Sequence, residues 1–128
     1  MPAYLDRLSR FVCDTGLEGL EPSTVNAAKT VVLDTIGAML AGSRLPENAK
    51  LAQLAAKTGG QGPATLLGQP GSASAVFAAL SNATAGVALE MDEGNRLGGG
   101  HAAIHVIPAA LAVAEERGAS GKEFLESV

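Results

Sequence analysis

Apolar residues return at three- and four-residue intervals along nearly the whole chain, and proline and glycine cut that pattern into pieces of helical length. A chain with this periodicity folds as packed helices and has little material for a sheet. Its apolar side chains are small. Of 128 residues 47% are hydrophobic, yet there are only 3 Phe, 1 Tyr and no Trp. Faces of Ala, Leu and Val let helices approach closely, but each side chain buries little area, so such a core gains from a larger neighbour to pack against.

The pieces can be read in order. Leu5, Leu8, Phe11 and Val12 mark a first helix, with Gly16 as its stop. Pro22 opens a second, with Val25, Ala28, Val32, Ile36, Met39 and Leu40 on one broad face as far as Gly42. Gly37 inside it costs about 1 kcal/mol relative to alanine, which predicts compensation by close approach of another helix at that point. Pro46 begins a third helix that ends at Gly59-Gly60. The run Ala64-Thr65-Leu66-Leu67 lies among Gly, Pro and Gln and reads as a connector with at most one short strand. Ser72 or Ser74 can cap an Ala-rich helix through Leu80, and Asn82 to Leu89 read as helical again. After a polar turn from Asp92 to Gly100, His101 to Glu116 return to helical spacing, with Pro108 either kinking the helix or starting it afresh and Gly118 closing it. Ser120-Gly121-Lys122-Glu123 has the S-x-x-E form of a capping box. The helix it announces has little body before Val128 and is marginal alone. The expectation is therefore that residues 1–128 are the N-terminal part of something longer.

Charge and composition exclude several classes. Nine basic against thirteen acidic residues give a net charge of −4, with no basic footprint for nucleic acid. No apolar run reaches membrane-spanning length, and Asp6 and Arg7 interrupt the region where a signal peptide needs an apolar stretch. The single Cys13 excludes an internal disulfide and fits a reducing compartment. With no basic neighbour in sequence, it reads as a buried structural thiol. A soluble, cytoplasmic, acidic protein is expected.

The cluster Glu90-Met91-Asp92-Glu93-Gly94-Asn95-Arg96-Leu97-Gly98-Gly99-Gly100-His101 stands out in so apolar a chain. Carboxylates beside a histidine make an acid/base constellation, because imidazole exchanges protons near neutral pH and a carboxylate can fix its tautomer. The alternative is a solvated loop whose glycines only allow a tight reversal. His101 and His105 are spaced to share a helix face, and Asp92 or Glu93 could complete a zinc site. The Glu of H-E-x-x-H is missing, however, and no metal is assigned. His105, between Ile104 and Val106, reads as a core or interface histidine. The run Gly98 to Gly100 lacks the Lys-Ser/Thr ending of a phosphate loop and follows no strand.

Several stretches in sequence order carry a resemblance: Leu33-Asp34-Thr35-Ile36-Gly37, Leu40-Ala41-Gly42-Ser43, Ala78-Ala79-Leu80-Ser81-Asn82-Ala83, Ala88-Leu89-Glu90-Met91-Asp92-Glu93, then His101, Val106-Ile107-Pro108-Ala109-Ala110-Leu111 and Gly118-Ala119-Ser120-Gly121-Lys122-Glu123. Together they resemble the N-terminal part of the MmgE/PrpD family, which includes 2-methylcitrate dehydratase, cis-aconitate decarboxylase and iminodisuccinate epimerase. The resemblance implies an all-α domain, completed in longer family members by later helices and a separate α+β domain, and a homodimer. It also implies proton transfer next to a carboxylate of a small di- or tricarboxylic acid, with no metal or organic cofactor. The family's D-F-D-D and H-P segments fall on Glu90-Met91-Asp92-Glu93 and His101-Ala102. This makes Asp92 and His101 the expected catalytic pair, with Glu93 and Arg96 as substrate contacts. Glu90 and Glu93 stand in place of aspartates, Met91 of an aromatic, Gly94 of a threonine and Ala102 of a proline, so the reaction type stays open. The turn is also locally negative, with Arg96 facing three carboxylates. A reading from another class is a non-catalytic helical module that packs against a partner chain.

Overall fold

Prolines and glycines set most helix ends where their chemistry demands. The computed structural model describes residues 3–128. Helix α1 (Ala3–Asp14) is followed by a 3₁₀ turn at Leu17–Gly19. Helices α2 (Pro22–Gly42) and α3 (Pro46–Thr58) both open on proline, whose missing N–H would have no partner in a first turn. Strand β1 (Ala64–Thr65) pairs antiparallel with β2 (Ser72–Ala73), and α4 (Ala75–Val87), α5 (Ala102–Arg117) and α6 (Gly121–Glu126) complete the order. Gly118 ends α5 at φ 63°, while the Ala119 N–H returns to the Ala114 carbonyl at 2.8 Å. At α6 the capping box forms as spaced. The Glu123 N–H reaches Ser120 Oγ at 3.3 Å, and the Ser120 N–H donates to the Glu123 carboxylate at 2.7 Å, which holds that carboxyl below its usual range.

The fold is mostly helical, and β1 lies within the segment where one short strand was expected. Its partner β2 was not anticipated. It takes Ser72, leaving Ser74 as the N-cap of α4 without a side-chain capping bond. The two helical stretches read between Ser74 and Leu89 are one helix, and α5 runs through the buried Pro108 as a single element. Gly16 does not stop α1 in the left-handed region. It adopts an extended conformation (φ −95°, ψ 172°) and caps the 3₁₀ turn.

Helix α4 lies at the centre and touches α2, α3, α5 and both strands. One apolar cluster joins α3, the hairpin, α4 and α5 through alanines and Leu66, and a second joins α2 and α5 through Met39, Ile104 and Ile107. The buried amide of Asn82 pins the hairpin to α4. Its Oδ1 accepts from the Leu67 N–H and its Nδ2 donates to the Thr65 carbonyl, both at 2.9 Å. The close approach expected at Gly37 occurs elsewhere. Gly37 is exposed, with nothing within 4 Å of where a Cβ would stand. A Cβ on Gly42 would instead lie 1.8 Å from the Ala85 carbonyl oxygen of α4, and one on Gly86 would lie 2.2 Å from Ile104 Cδ1 of α5. Asp34 is exposed, so it needs no buried partner.

Helix α1 has no buried residue, and Tyr4, Leu8, Phe11 and Val12 are all exposed. Cys13 shares that exposure, which corrects the expectation of a buried thiol: α1 is not sunk into the core, so its side chains stay in solvent. The 3₁₀ turn is held by α6. Its Leu17 N–H donates to Glu126 Oε1 at 3.1 Å, and Lys122 Nζ pairs with Glu18 Oε1. The hydrogen bond from Lys122 lowers the Glu18 carboxyl below its ordinary 4.5, and the same contact raises Lys122 above 10.5. A lowered carboxyl stabilises the fold above its unfolded pKa and loses that contribution as pH falls through the folded value. Acidification below about pH 4.5 is therefore expected to release this contact, and the Lys122 contribution fails only in strong alkali. NMR shifts of the Lys122 side chain should titrate chiefly with Glu18 in acid, and in Glu18→Gln only the smaller influence of the Glu126 charge should remain. Full exposure keeps the effect on stability small.

Among the described residues no helix is long and apolar enough to cross a membrane.

Candidate acid/base site

The site is built where α4 hands the chain to α5. Glu90, just past α4, sits at φ 52°, a left-handed conformation uncommon for a residue with a Cβ, and the chain reverses there. Asp92 follows with its side chain only 5% exposed, whereas His101, the N-cap of α5, is 51% exposed. Their separation is 3.1 Å, from His101 Nδ1 to Asp92 Oδ2. The two residues expected to act together are thus in contact, with the carboxylate inside and the imidazole at the surface.

The intervening loop closes on itself. Asn95 and Gly100 form an antiparallel bridge, with Asn95 N–H donating to the Gly100 carbonyl at 2.7 Å. Asn95 Oδ1 accepts from the Leu97 and Gly98 N–H groups, each at 2.9 Å, and the Gly99 N–H goes to the Asn95 carbonyl at 2.8 Å. The Leu97, Gly98 and Gly99 amides are thus engaged in closing the reversal and do not point together at an anion. Asn95 is the organising residue that sequence reasoning passed over. The signal was there in an asparagine leading into glycines, the usual composition of a side-chain-closed turn.

Arg96 is exposed and lines, with Gly94, Asn95, Gly100 and His101, an open depression of about 370 Å³. Glu93 is turned elsewhere. Its Oε2 accepts from the Ala103 N–H of α5 at 3.2 Å, and its side chain lines an apolar cleft between α2 and α5 with Val31, Val32, Val106 and Ile107. The structure therefore brings His101 against Asp92, puts Arg96 in the depression that His101 also lines, and commits one Glu93 oxygen to the start of α5. His105 is exposed, not a core histidine, because α5 buries Ala103, Ile104, Ile107 and Pro108 and turns residue 105 outward. Among the described residues no group of three or more His, Cys, Asp and Glu is placed to hold a metal ion.

A carboxylate 3.1 Å from Nδ1 favours a proton on that nitrogen, which leaves Nε2 as the one able to take or give a proton. The sequence of this domain decides its ancestry: residues 6–128 match the family model described as the MmgE/PrpD N-terminal domain. The chain belongs to the MmgE/PrpD family. The match covers the stretches that carried the resemblance and the whole of the Asp92–His101 site. Comparison with curated proteins and with solved structures gives no match. Of the five departures that the resemblance marks, Glu90, Met91, Gly94 and Ala102 are exposed and Glu93 is partly buried against α5, whereas Asp92 and His101 are the pair in contact.

Proposed function

We propose that this MmgE/PrpD domain forms one wall of a pocket for a small di- or tricarboxylic acid, and that His101 moves a proton next to a substrate carboxylate. Dehydration, decarboxylation and isomerisation all begin or end with that step. The observation that carries the reading is the 3.1 Å contact between a buried carboxylate and a half-exposed imidazole. With its proton on Nδ1 toward Asp92, His101 presents the Nε2 lone pair as a base, and the imidazolium that forms is stabilised by the Asp92 charge. Arg96, beside His101 in the same depression, is the local partner for a substrate carboxylate. One arginine against three carboxylates is too little for a polyanion, so the remaining cationic groups come from outside these residues. The chemistry so proposed uses side-chain acids and bases alone.

The test is carbon–hydrogen exchange in heavy water, with 2-methylcitrate, cis-aconitate and iminodisuccinate offered in turn and deuterium read at the carbon next to a carboxylate. Incorporation that disappears in His101→Asn supports the reading. Incorporation that is equal with and without His101 removes that residue from the reaction. The same acids should shift the NMR signals of His101 and Arg96, and signals that stay still up to millimolar acid would count against the depression as the binding site.

The partner-packing reading has separate support. The chain exposes 8176 Å², whereas a compact monomer of this mass exposes about 6,300 Å². The surplus of about 1,900 Å² per chain is of the size that a permanent interface covers, and Leu33, Val76 and Leu80 are exposed as well as the apolar residues of α1. We propose a second copy of the chain as the cover. Sedimentation at micromolar concentration should show a dimer, and a monodisperse monomer would refute it.

A further inference from the structure

We propose that Glu93 is a positioning residue: by capping α5 it holds His101 on Asp92. This rests on the reading of His101 as the proton-transfer group and adds to it the device that fixes the imidazole.

Helix α5 opens without a cap of its own. Its N-cap is His101, whose side chain makes no capping hydrogen bond, and its first turn carries no acidic residue. The first N–H groups of a helix have no partner within it and present partial positive charge, so a carboxylate there is favoured twice over. Glu93, ten residues upstream, supplies it through Oε2 to the Ala103 N–H at 3.2 Å. Ala103 is buried, so that N–H has limited access to water as a substitute.

Asp92 and Glu93 are adjacent in the chain, and they grip two points two residues apart. Asp92 takes the ring of residue 101, and Glu93 takes the main chain of residue 103. The connecting loop supplies no such anchor. Its hydrogen bonds run among Asn95, Leu97, Gly98, Gly99 and Gly100, and it is exposed throughout. What keeps the imidazole in register with the Asp92 carboxylate is the pair of contacts from residues 92 and 93. A role for Glu93 as a direct substrate contact fits less well, because it lines the apolar α2–α5 cleft and not the depression shared by His101 and Arg96.

The experiment reads the His101 tautomer by two-bond nitrogen–proton NMR on the 128-residue chain, at a pH where the ring is neutral. In the parent chain the proton is expected on Nδ1. Glu93→Ala and Glu93→Asp, the latter keeping the charge but one methylene too short to reach, are expected to mix the tautomers and to speed Ala103 amide exchange about tenfold. Glu93→Gln, whose carboxamide oxygen still accepts from Ala103, is expected to retain the parent tautomer. A single Nδ1-protonated tautomer in the Ala and Asp variants, with Ala103 exchange accelerated, would overturn the proposal and leave Glu93 as a helix cap only. Should the Ala variant fail to fold, the Asp and Gln variants decide the matter between them. Asp92→Ala, which removes the acceptor, keeps the underlying reading separable: if it leaves the tautomer unchanged, the Asp92–His101 contact itself fails, whatever Glu93 does.

Discussion

His101→Ala is expected to lower kcat for proton exchange by about 10²–10⁴-fold, the usual contribution of one positioned acid/base group. It also removes the partner of a carboxylate that is nearly buried, so a stability loss of about 1–3 kcal/mol accompanies it. The two effects can be separated. In His101→Asn the side-chain amide can still donate to Asp92 where Nδ1 stood, but it offers no nitrogen base. Its activity should match that of the alanine variant, while its melting temperature stays near the parent's. An asparagine variant that keeps substantial turnover would show that His101 only buttresses Asp92. Because His101 makes no capping bond to α5, neither substitution should unwind the helix.

The largest effect on stability is expected at Gly42. A Cβ there would overlap the Ala85 carbonyl, 1.8 Å from its oxygen and 2.8 Å from its carbon. Backbone cannot rotate away as a side chain can, so α2 and α4 would have to separate. The cost falls at or beyond the upper end of ordinary overpacking, about 3 kcal/mol or more, which lowers the melting temperature by about 10 °C. Gly37→Ala, five residues earlier in the same helix, should do the opposite. With open space around it and helical backbone on both sides, alanine there is worth about 0.4–1 kcal/mol of added stability. Thermal melts of the two variants side by side test the packing directly. Equal changes would mean that α2 and α4 do not meet as described.

These two glycines show where sequence reasoning reaches and where it stops. Pro22, Pro46, Gly118 and the Ser120–Glu123 box act through their own backbone and its nearest neighbours, so the ends they set were legible from residue type alone. Gly37 and Gly42 look alike in sequence, and only the path of α4, fixed by contacts more than 40 residues away, decides which one is pressed. The same holds for Ser72, whose strand exists because Thr65 lies opposite, and for Cys13 and His105, whose exposure depends on what their helices meet. At the site, residue types alone pointed to a carboxylate–histidine cluster, and the family resemblance singled out Asp92 and His101 in it; the reversal between them brings the two into contact. The commitment of Glu93 to Ala103 was not legible, because it depends on which way one side chain turns at the close of that reversal.

Of the buried residues of α4, Asn82 turns to the hairpin, whereas Ala85 and Gly86, with one carbon or none beyond the backbone, meet α2 and α5. The gap between α2 and α4 at Gly42 is therefore set by main chain, which has one size, whereas α5 is seated through the Ile104 side chain lodged against Gly86 and Met39. The first contact cannot be retuned by swapping one aliphatic residue for another, and the second can. Adjustment of the helix that carries His101 at its tip is thus open on the Ile104 side of α4 and closed on the Gly42 side.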